Sequence, residues 1–195
     1  MQYRESTKKL DAYRREIADI RKKMRKLQAE IEPEIVDDYE LTTLKGSRRL
    51  SELFGDKDDL IVIHNMGAGC PYCTLWADGF NGLYHHIADR AAFVVVTPDR
   101  PAAQQKFAES RGWRFPMASH DGTSFAADMG YRTSRGLMPG VSVFRRRDGK
   151  IVRVSDTGMS PRDDFCSVWH LFDLLPDSDA DWSPKFKYAA KTKAA

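Results

Sequence analysis

Along the first thirty residues the apolar positions are Leu10, Tyr13, Ile17, Ile20, Met24, Leu27 and Ile31. Their gaps alternate between three and four. That is a narrow stripe repeating every ~3.5 residues, the pattern of an amphipathic helix with a coiled-coil seam. Tyr3 extends the stripe backwards by one heptad, and Pro33 is where such a helix must stop. A stripe this narrow has two natural destinations, the chain's own domain or a second copy, which would make a homodimer through residues 3–31.

Beyond Pro33 the periodicity changes. Leu60 to Met66 and Ala92 to Thr97 are short, nearly continuous apolar runs of the kind buried parallel strands need. Between them, residues 74–88 predict a helix, bent or interrupted near Gly79-Phe80-Asn81-Gly82. Residues 102–111 predict a second helix ending at Gly112, and residues 123–129 one or two helical turns. Ahead of the first strand come a short extended piece at Tyr39–Leu41, a turn at Lys45–Ser47 and a helical turn at Leu50–Phe54 closed by Gly55. Phe115–Ser119 is short and extended. Val141–Phe144 and Ile151–Val154 flank Asp148-Gly149, a strong hairpin signal. Ser160-Pro161-Arg162-Asp163 reads as a helix start, with a capping hydroxyl, proline and early acid, for a last helix running to about Leu175 before Pro176. The order strand-helix-strand-helix, then hairpin and helix, predicts an α/β fold: a central mixed sheet flanked by helices, preceded by a long N-terminal helix. The expected divisions are a helical arm (1–32), one domain (33–188) and a disordered tail (189–195).

Composition narrows the class. With 42% hydrophobic and 30% charged residues the chain is a soluble globular protein rather than a disordered one. No apolar run approaches the ~20 residues of a membrane span, and the opening Met1-Gln2-Tyr3-Arg4-Glu5 lacks a signal-peptide core. The expected address is the cytoplasm, with no membrane partner. Ten Lys and Arg against six Asp and Glu give residues 1–32 a charge of +4, so the rest of the chain carries −1 of the overall +3. The domain therefore gives no electrostatic reason to bind nucleic acid, and the cluster Arg21–Lys26 reads as a solvated helix face.

The chemistry concentrates in Gly69-Cys70-Pro71-Tyr72-Cys73, at the junction between the first central strand and its helix. Three cysteines do not make a disulfide framework, and in a reducing compartment a Cys-x-x-Cys pair is catalytic or metal-binding. Cys70 would sit at the helix N-terminus, where unpaired N–H groups favour a thiolate; Cys73 follows one turn on, in reach of a small disulfide ring. Pro71 stiffens that ring, and Tyr72 and Trp76 are placed to rim the site and contact substrate, though Trp76 also fits the core. A zinc site from Cys70, Cys73, His85 and His86 is the chemical competitor. It lacks the His-x3–5-His spacing, and adjacent helical histidines diverge by about 100°. The expected cofactor set is empty apart from the Cys70–Cys73 disulfide. Cys166, among Phe165, Val168, Trp169 and Phe172, reads as a core thiol.

These residues carry a resemblance. The Cys70–Cys73 pentapeptide resembles a thioredoxin or glutaredoxin centre. Met138-Pro139-Gly140-Val141-Ser142-Val143-Phe144, followed by Asp148-Gly149 and Ile151–Val154, resembles the cis-proline strand and hairpin of that superfamily. Thr97-Pro98-Asp99-Arg100-Pro101 and Phe115 to Gly122 resemble the insertion of its peroxiredoxin-like branches. More narrowly, the charged N-terminal helix, Gly69 to Asp78 and the tail Trp182-Ser183-Pro184-Lys185-Phe186-Lys187-Tyr188 resemble an uncharacterised bacterial thioredoxin-like family, domain of unknown function 899. The resemblance implies a thiol–disulfide oxidoreductase in which Cys70 attacks, Cys73 resolves, and Met138 and a cis Pro139 line the site for a protein or small-molecule disulfide. His64, six residues before Cys70, stands where thioredoxins keep a buried carboxylate, and would either move the Cys73 proton near neutral pH or be a hydrogen-bonded strand histidine. A non-catalytic binding or redox-sensing protein is the alternative. A thiol peroxidase is less favoured, because the peroxiredoxin pattern Pro-x-x-x-Thr-x-x-Cys would need Pro and Thr where this chain has Ile63 and Gly67.

Overall fold

Alternation along two strands sorts the core into two layers. In the computed structural model, which describes residues 2–188, Leu60 and Val62 of strand β4 (Asp59–His64) and Val94 and Val96 of β5 (Ala92–Thr97) pack with Leu41, Phe54, Phe125 and Phe144. Ile63, Phe93 and Val95, one residue out of phase, pack on the opposite face with Cys73, Trp76, Phe80 and Trp169. Period-two burial of both strand faces is what a sheet covered on each side requires.

β4 and β5 run parallel, with Leu60 opposite Ala92 and His64 opposite Val96. They are joined by helix α2 (Pro71–Arg90). Helix α3 (Pro101–Arg111) leads from β5 to β6 (Met117–Ser119), which adds parallel to β5. The helical turns expected near 123–129 form α4 (Phe125–Asp128). On the other side of β4 lies β9 (Gly140–Arg147), antiparallel, followed by β10 (Lys150–Gly158). With β1 (Glu34–Val36), β2 (Glu40–Thr43) and β3 (Gly46–Arg49), the sheet order is β1-β10-β9-β4-β5-β6-β2-β3. The predicted mixed α/β sheet is therefore present. The hairpin signal holds too: Arg147 faces Lys150, and the two-residue loop Asp148-Gly149 has φ of 51° and 73°, the left-handed pair of a type I′ turn. A small separate ribbon, β7 (Arg132–Thr133) with β8 (Gly136–Leu137), precedes β9.

Three local expectations are corrected. Helix α2 is continuous through Gly79 and Gly82, because packing of Trp76, Ala77 and Phe80 against the sheet outweighs two glycines. The last helix does not start at Ser160. The Asp163 carboxylate accepts the N–H groups of Ser160 and Phe165, Arg162 turns into the left-handed region (φ 71°), and the helix, α5, spans only Ser167–Phe172. The Met138–Pro139 bond is trans, as no cis peptide occurs among the described residues. Met138 N–H reaches the Tyr131 carbonyl (2.8 Å) and the Pro139 carbonyl takes the Met159 N–H (2.9 Å), so the segment is held in that form from both ends.

The chain divides into two compact units, one ending at Glu34 and one starting at Ile35. The first is helix α1 (Tyr3–Glu30), uninterrupted as its heptads predict and with no buried residue. In the second, the segment after α5 packs back on it: Trp182 meets Trp169 and Phe172 at ring distances of 5.6 and 5.0 Å. Arg111 donates to the Phe186 carbonyl at 2.9 Å. The expected frayed tail, 189–195, lies outside the described residues. No helix among those described is long and apolar enough to cross a membrane.

Candidate functional site

Cys70 is the N-cap of α2. Its extended backbone (φ −103°, ψ 108°) breaks from the helix, Pro71 opens the first turn, and the Cys73 N–H donates to the Cys70 sulfur at 3.1 Å. A sulfur thus occupies the place where Ser or Asp usually caps, collecting an orphan N–H. Hydrogen bonding with the Cys73 thiol, helped by the Cys73 and Tyr72 N–H groups, outweighs burial and lowers the Cys70 pKa to about 7. The same thiol bond, together with burial, pushes Cys73 up. One sulfur is readied as a thiolate while the other holds its proton, the asymmetry an attacking and a resolving cysteine need. Both thiols are free and largely covered.

The loop before Cys70 is pinned on two sides. Asn65 Oδ1 accepts the Gly67 N–H (2.8 Å), and Asp99 Oδ2 accepts the Ala68 N–H (2.8 Å). Gly67 has φ +99°, and a Cβ there would lie 2.8 Å from that carboxylate, so only glycine fits. Asp99 is held in turn through its own N–H by Thr97 Oγ1 (3.0 Å), which also takes a bond from Gln104 (2.9 Å). Asn65 and Asp99 carried no sequence signal for this task; short polar side chains in loops beside strand ends are the only available hint.

Pro139 is brought to the dithiol. It is buried and shares with Cys73, Trp76, Ile63, His64, Asn65 and Met159 a small crevice beneath the helix start. Met138 beside it is 48% exposed, and Pro71 and Tyr72 are half-buried at the rim. Trp76 does not line that rim: it is 2% exposed, and its indole N–H donates to Asp163 (3.2 Å), so it supports the site from the core. Tyr72 approaches Trp169 with ring centroids 6.3 Å apart. Cys166 is buried in the same apolar layer, where burial pushes its thiol up.

Of the two readings of His64, the geometry fits the strand histidine. Strand alternation sends its ring to the face opposite the dithiol, where it stacks on Tyr131 (3.8 Å) and Phe125 (5.5 Å). Nε2 shares a hydrogen bond with Ser142 Oγ at 2.9 Å, and Nδ1 has no partner among the described residues. Burial, with His120 and Arg153 adding positive potential, lowers its pKa to about 3. A buried ring favoured in its neutral form, hydrogen-bonded to Ser142, fits the strand-histidine reading rather than proton transfer near pH 7. The histidines of the rejected zinc set lie elsewhere: His85 accepts from Arg114 (2.6 Å) on an exposed face.

Comparison with known proteins places the chain in a family. The model of a family described as "Bacterial protein of unknown function (DUF899)" matches residues 2–189, and the chain belongs to that family. Putative peroxiredoxins from two strains of Mycobacterium tuberculosis are each 35% identical over 105 residues, covering 53% of this chain and 66% of theirs. Among solved structures, the peroxidoxin BcpB from Mycobacterium tuberculosis superposes with a TM-score of 0.57 at 27% identity, over 69% of this chain and 88% of that one. Reduced Prx3 from Vibrio vulnificus, in complex with H2O2, gives 0.56 at 15% identity over 68% and 90%, a likeness of fold alone. The fold is that of the thioredoxin and peroxiredoxin superfamily.

Proposed function

We propose that the protein is a thiol–disulfide oxidoreductase working through Cys70 and Cys73. The observation that carries this reading is the helix-capping Cys70 sulfur, bonded by Cys73 and lowered to about 7 while its partner is raised. The Cys70 thiolate attacks one sulfur of a substrate disulfide. The substrate S–S bond breaks, a mixed disulfide forms, and the departing thiolate takes a proton from water. Cys73 then loses its proton and attacks the Cys70 sulfur, releasing the second substrate thiolate and leaving the Cys70–Cys73 disulfide. Two electrons pass from the dithiol to the substrate, and the reverse sequence oxidises a dithiol. In this reading Pro71, Tyr72, Met138 and Pro139 are the residues that would contact the arriving substrate.

The names of the relatives favour a second reading, a thiol peroxidase. There the Cys70 thiolate would attack one peroxide oxygen, breaking the O–O bond and releasing water or an alcohol as it becomes a sulfenic acid, with which Cys73 then condenses to give the disulfide and water. Against it stands Gly67 where a peroxidatic threonine would be; the Asp99 carboxylate occupies the space its side chain would need.

Equilibration in glutathione buffers decides whether the dithiol works, and peroxide decides between the readings. A reversible two-electron couple at about −270 to −200 mV is expected, with disulfide reduction faster than peroxide consumption. Absence of a couple would leave only a binding or sensing role. Rapid oxidation by stoichiometric H2O2, faster than by a disulfide, would establish the peroxidase.

A further inference from the structure

We infer that helix α1 pairs with α1 of a second copy in antiparallel orientation, with Ile17 opposite Ile20 of the other chain. Every apolar stripe residue from Tyr3 to Ile31 is between 48% and 85% exposed, and the helix runs unbroken for 28 residues. The 28-residue helix spans four heptads, and in this register its apolar pairs run from Leu10 to Leu27, with Ile31 falling opposite Ser6. The stripe does not itself choose the orientation; the flanking charges do.

In heptad terms Leu10, Ile17 and Met24 are a positions, and Tyr13, Ile20 and Leu27 are d positions. Antiparallel pairing puts each a against a d of the other copy: Leu10 meets Leu27, Ile17 meets Ile20, and Tyr13 meets the pliable Met24. The g positions then face each other, Glu16 against Lys23 and Lys9 against Glu30, and two-fold symmetry makes each opposite-charge pair twice. The e positions bring Arg14 against Arg21; Arg14 is paired with Asp11 at 2.7 Å in its own helix, which softens its repulsion equally in either orientation. Parallel pairing offers less. Glu16 would face Arg21 favourably, Lys9 would face Arg14 unfavourably, Lys23 would face uncharged Gln28, and Tyr13 would meet its own copy in the core. Two attractive pairs against one repulsive pair favour the antiparallel arrangement; the parallel one has one of each.

The test is a charge-reversal cycle in the full chain, read by sedimentation equilibrium across a concentration series. The wild-type protein is expected at twice the 22.2 kDa chain mass. Glu16→Lys and Lys23→Glu should each raise the dimer dissociation constant about tenfold at low salt, from surface-pair energies doubled by symmetry. The double variant should return it to near the wild-type value, since the two exchanged charges again attract across the seam. These positions are exposed, so the fold is not at risk. A monomeric wild-type protein overturns the pairing. A double variant no better than Glu16→Lys overturns the antiparallel register, because only that register sets residue 16 against residue 23.

Discussion

The Cys73 backbone N–H points at the Cys70 sulfur from 3.1 Å, so the helix that carries the second cysteine also stabilises the first as an anion. Alkylation of the reduced protein by iodoacetamide should therefore rise with pH through a midpoint near 7 and level off above it. Cys73→Ala removes the thiol donor but keeps the N–H, and should move that midpoint upward. Cys73→Ser, which retains a donor, should move it less. The linkage has a fixed sign: a pKa lowered on folding adds stability above the unfolded thiol value near ~8.5, and that stability is lost as pH falls through 7. Urea melts of the reduced chain at pH 6 and pH 9 read it, using Cys70→Ala to remove the effect.

His64 should prove structural. The pH–rate profile of disulfide reduction is expected to carry the Cys70 inflection and none from a histidine. His64→Phe keeps the stack on Tyr131 but strips Ser142 of its buried partner, for a loss of about 1–3 kcal/mol. The Cys70 midpoint should stay within a few tenths of a unit. A shift of the profile in this variant would restore His64 to the proton path.

Gly140 is set where β9 passes under Tyr131. A Cβ at that position would collide with the Tyr131 ring and fall 2.7 Å from the Thr157 carbonyl. Gly140→Ala should cost at least ~2 kcal/mol, since neither the backbone nor the stacked ring can move freely. A denaturation midpoint equal to wild type would show that the strand shifts at no cost.

Asp99 holds the loop that delivers Cys70. Asp99→Ala leaves the Ala68 N–H without its acceptor and should destabilise by about 1–3 kcal/mol. Loosening the loop should also slow the closing of the Cys70–Cys73 ring after a mixed disulfide forms. Stopped-flow release of a chromogenic thiol measures that step; an unchanged rate would confine Asp99 to stability.

At the far end of β4, Asp59 accepts from Arg145 (2.6 and 3.0 Å) and Arg90 (3.0 Å), which hold its carboxyl below the usual range. A carboxyl lowered on folding stabilises above its unfolded value and loses that contribution as pH falls through the folded one. Asp59→Asn should flatten the acid limb of stability below about pH 4, visible in thermal melts from pH 5 to pH 2.

Much of this was legible in the chain by itself. Heptad gaps fixed α1, continuous apolar runs fixed β4 and β5, Asp148-Gly149 fixed the hairpin, and Cys-x-x-Cys after a strand placed the dithiol, because each depends on residues within one or two turns of each other. The trans bond before Pro139, the burial of Trp76, the straight path of α2 and the early stop at Asp163 depend on partners far along the sequence, such as Asp163 for Trp76 and Met159 for Pro139. The largest difference came from a single alternation. The sequence left His64 either serving Cys73 or sitting as a strand histidine; a strand sends neighbouring side chains to opposite faces, and only the assembled sheet showed that the ring lies among Tyr131, Phe125 and Ser142. Local sequence decided where the two cysteine sulfurs sit; packing across the sheet decided which side chains can reach them.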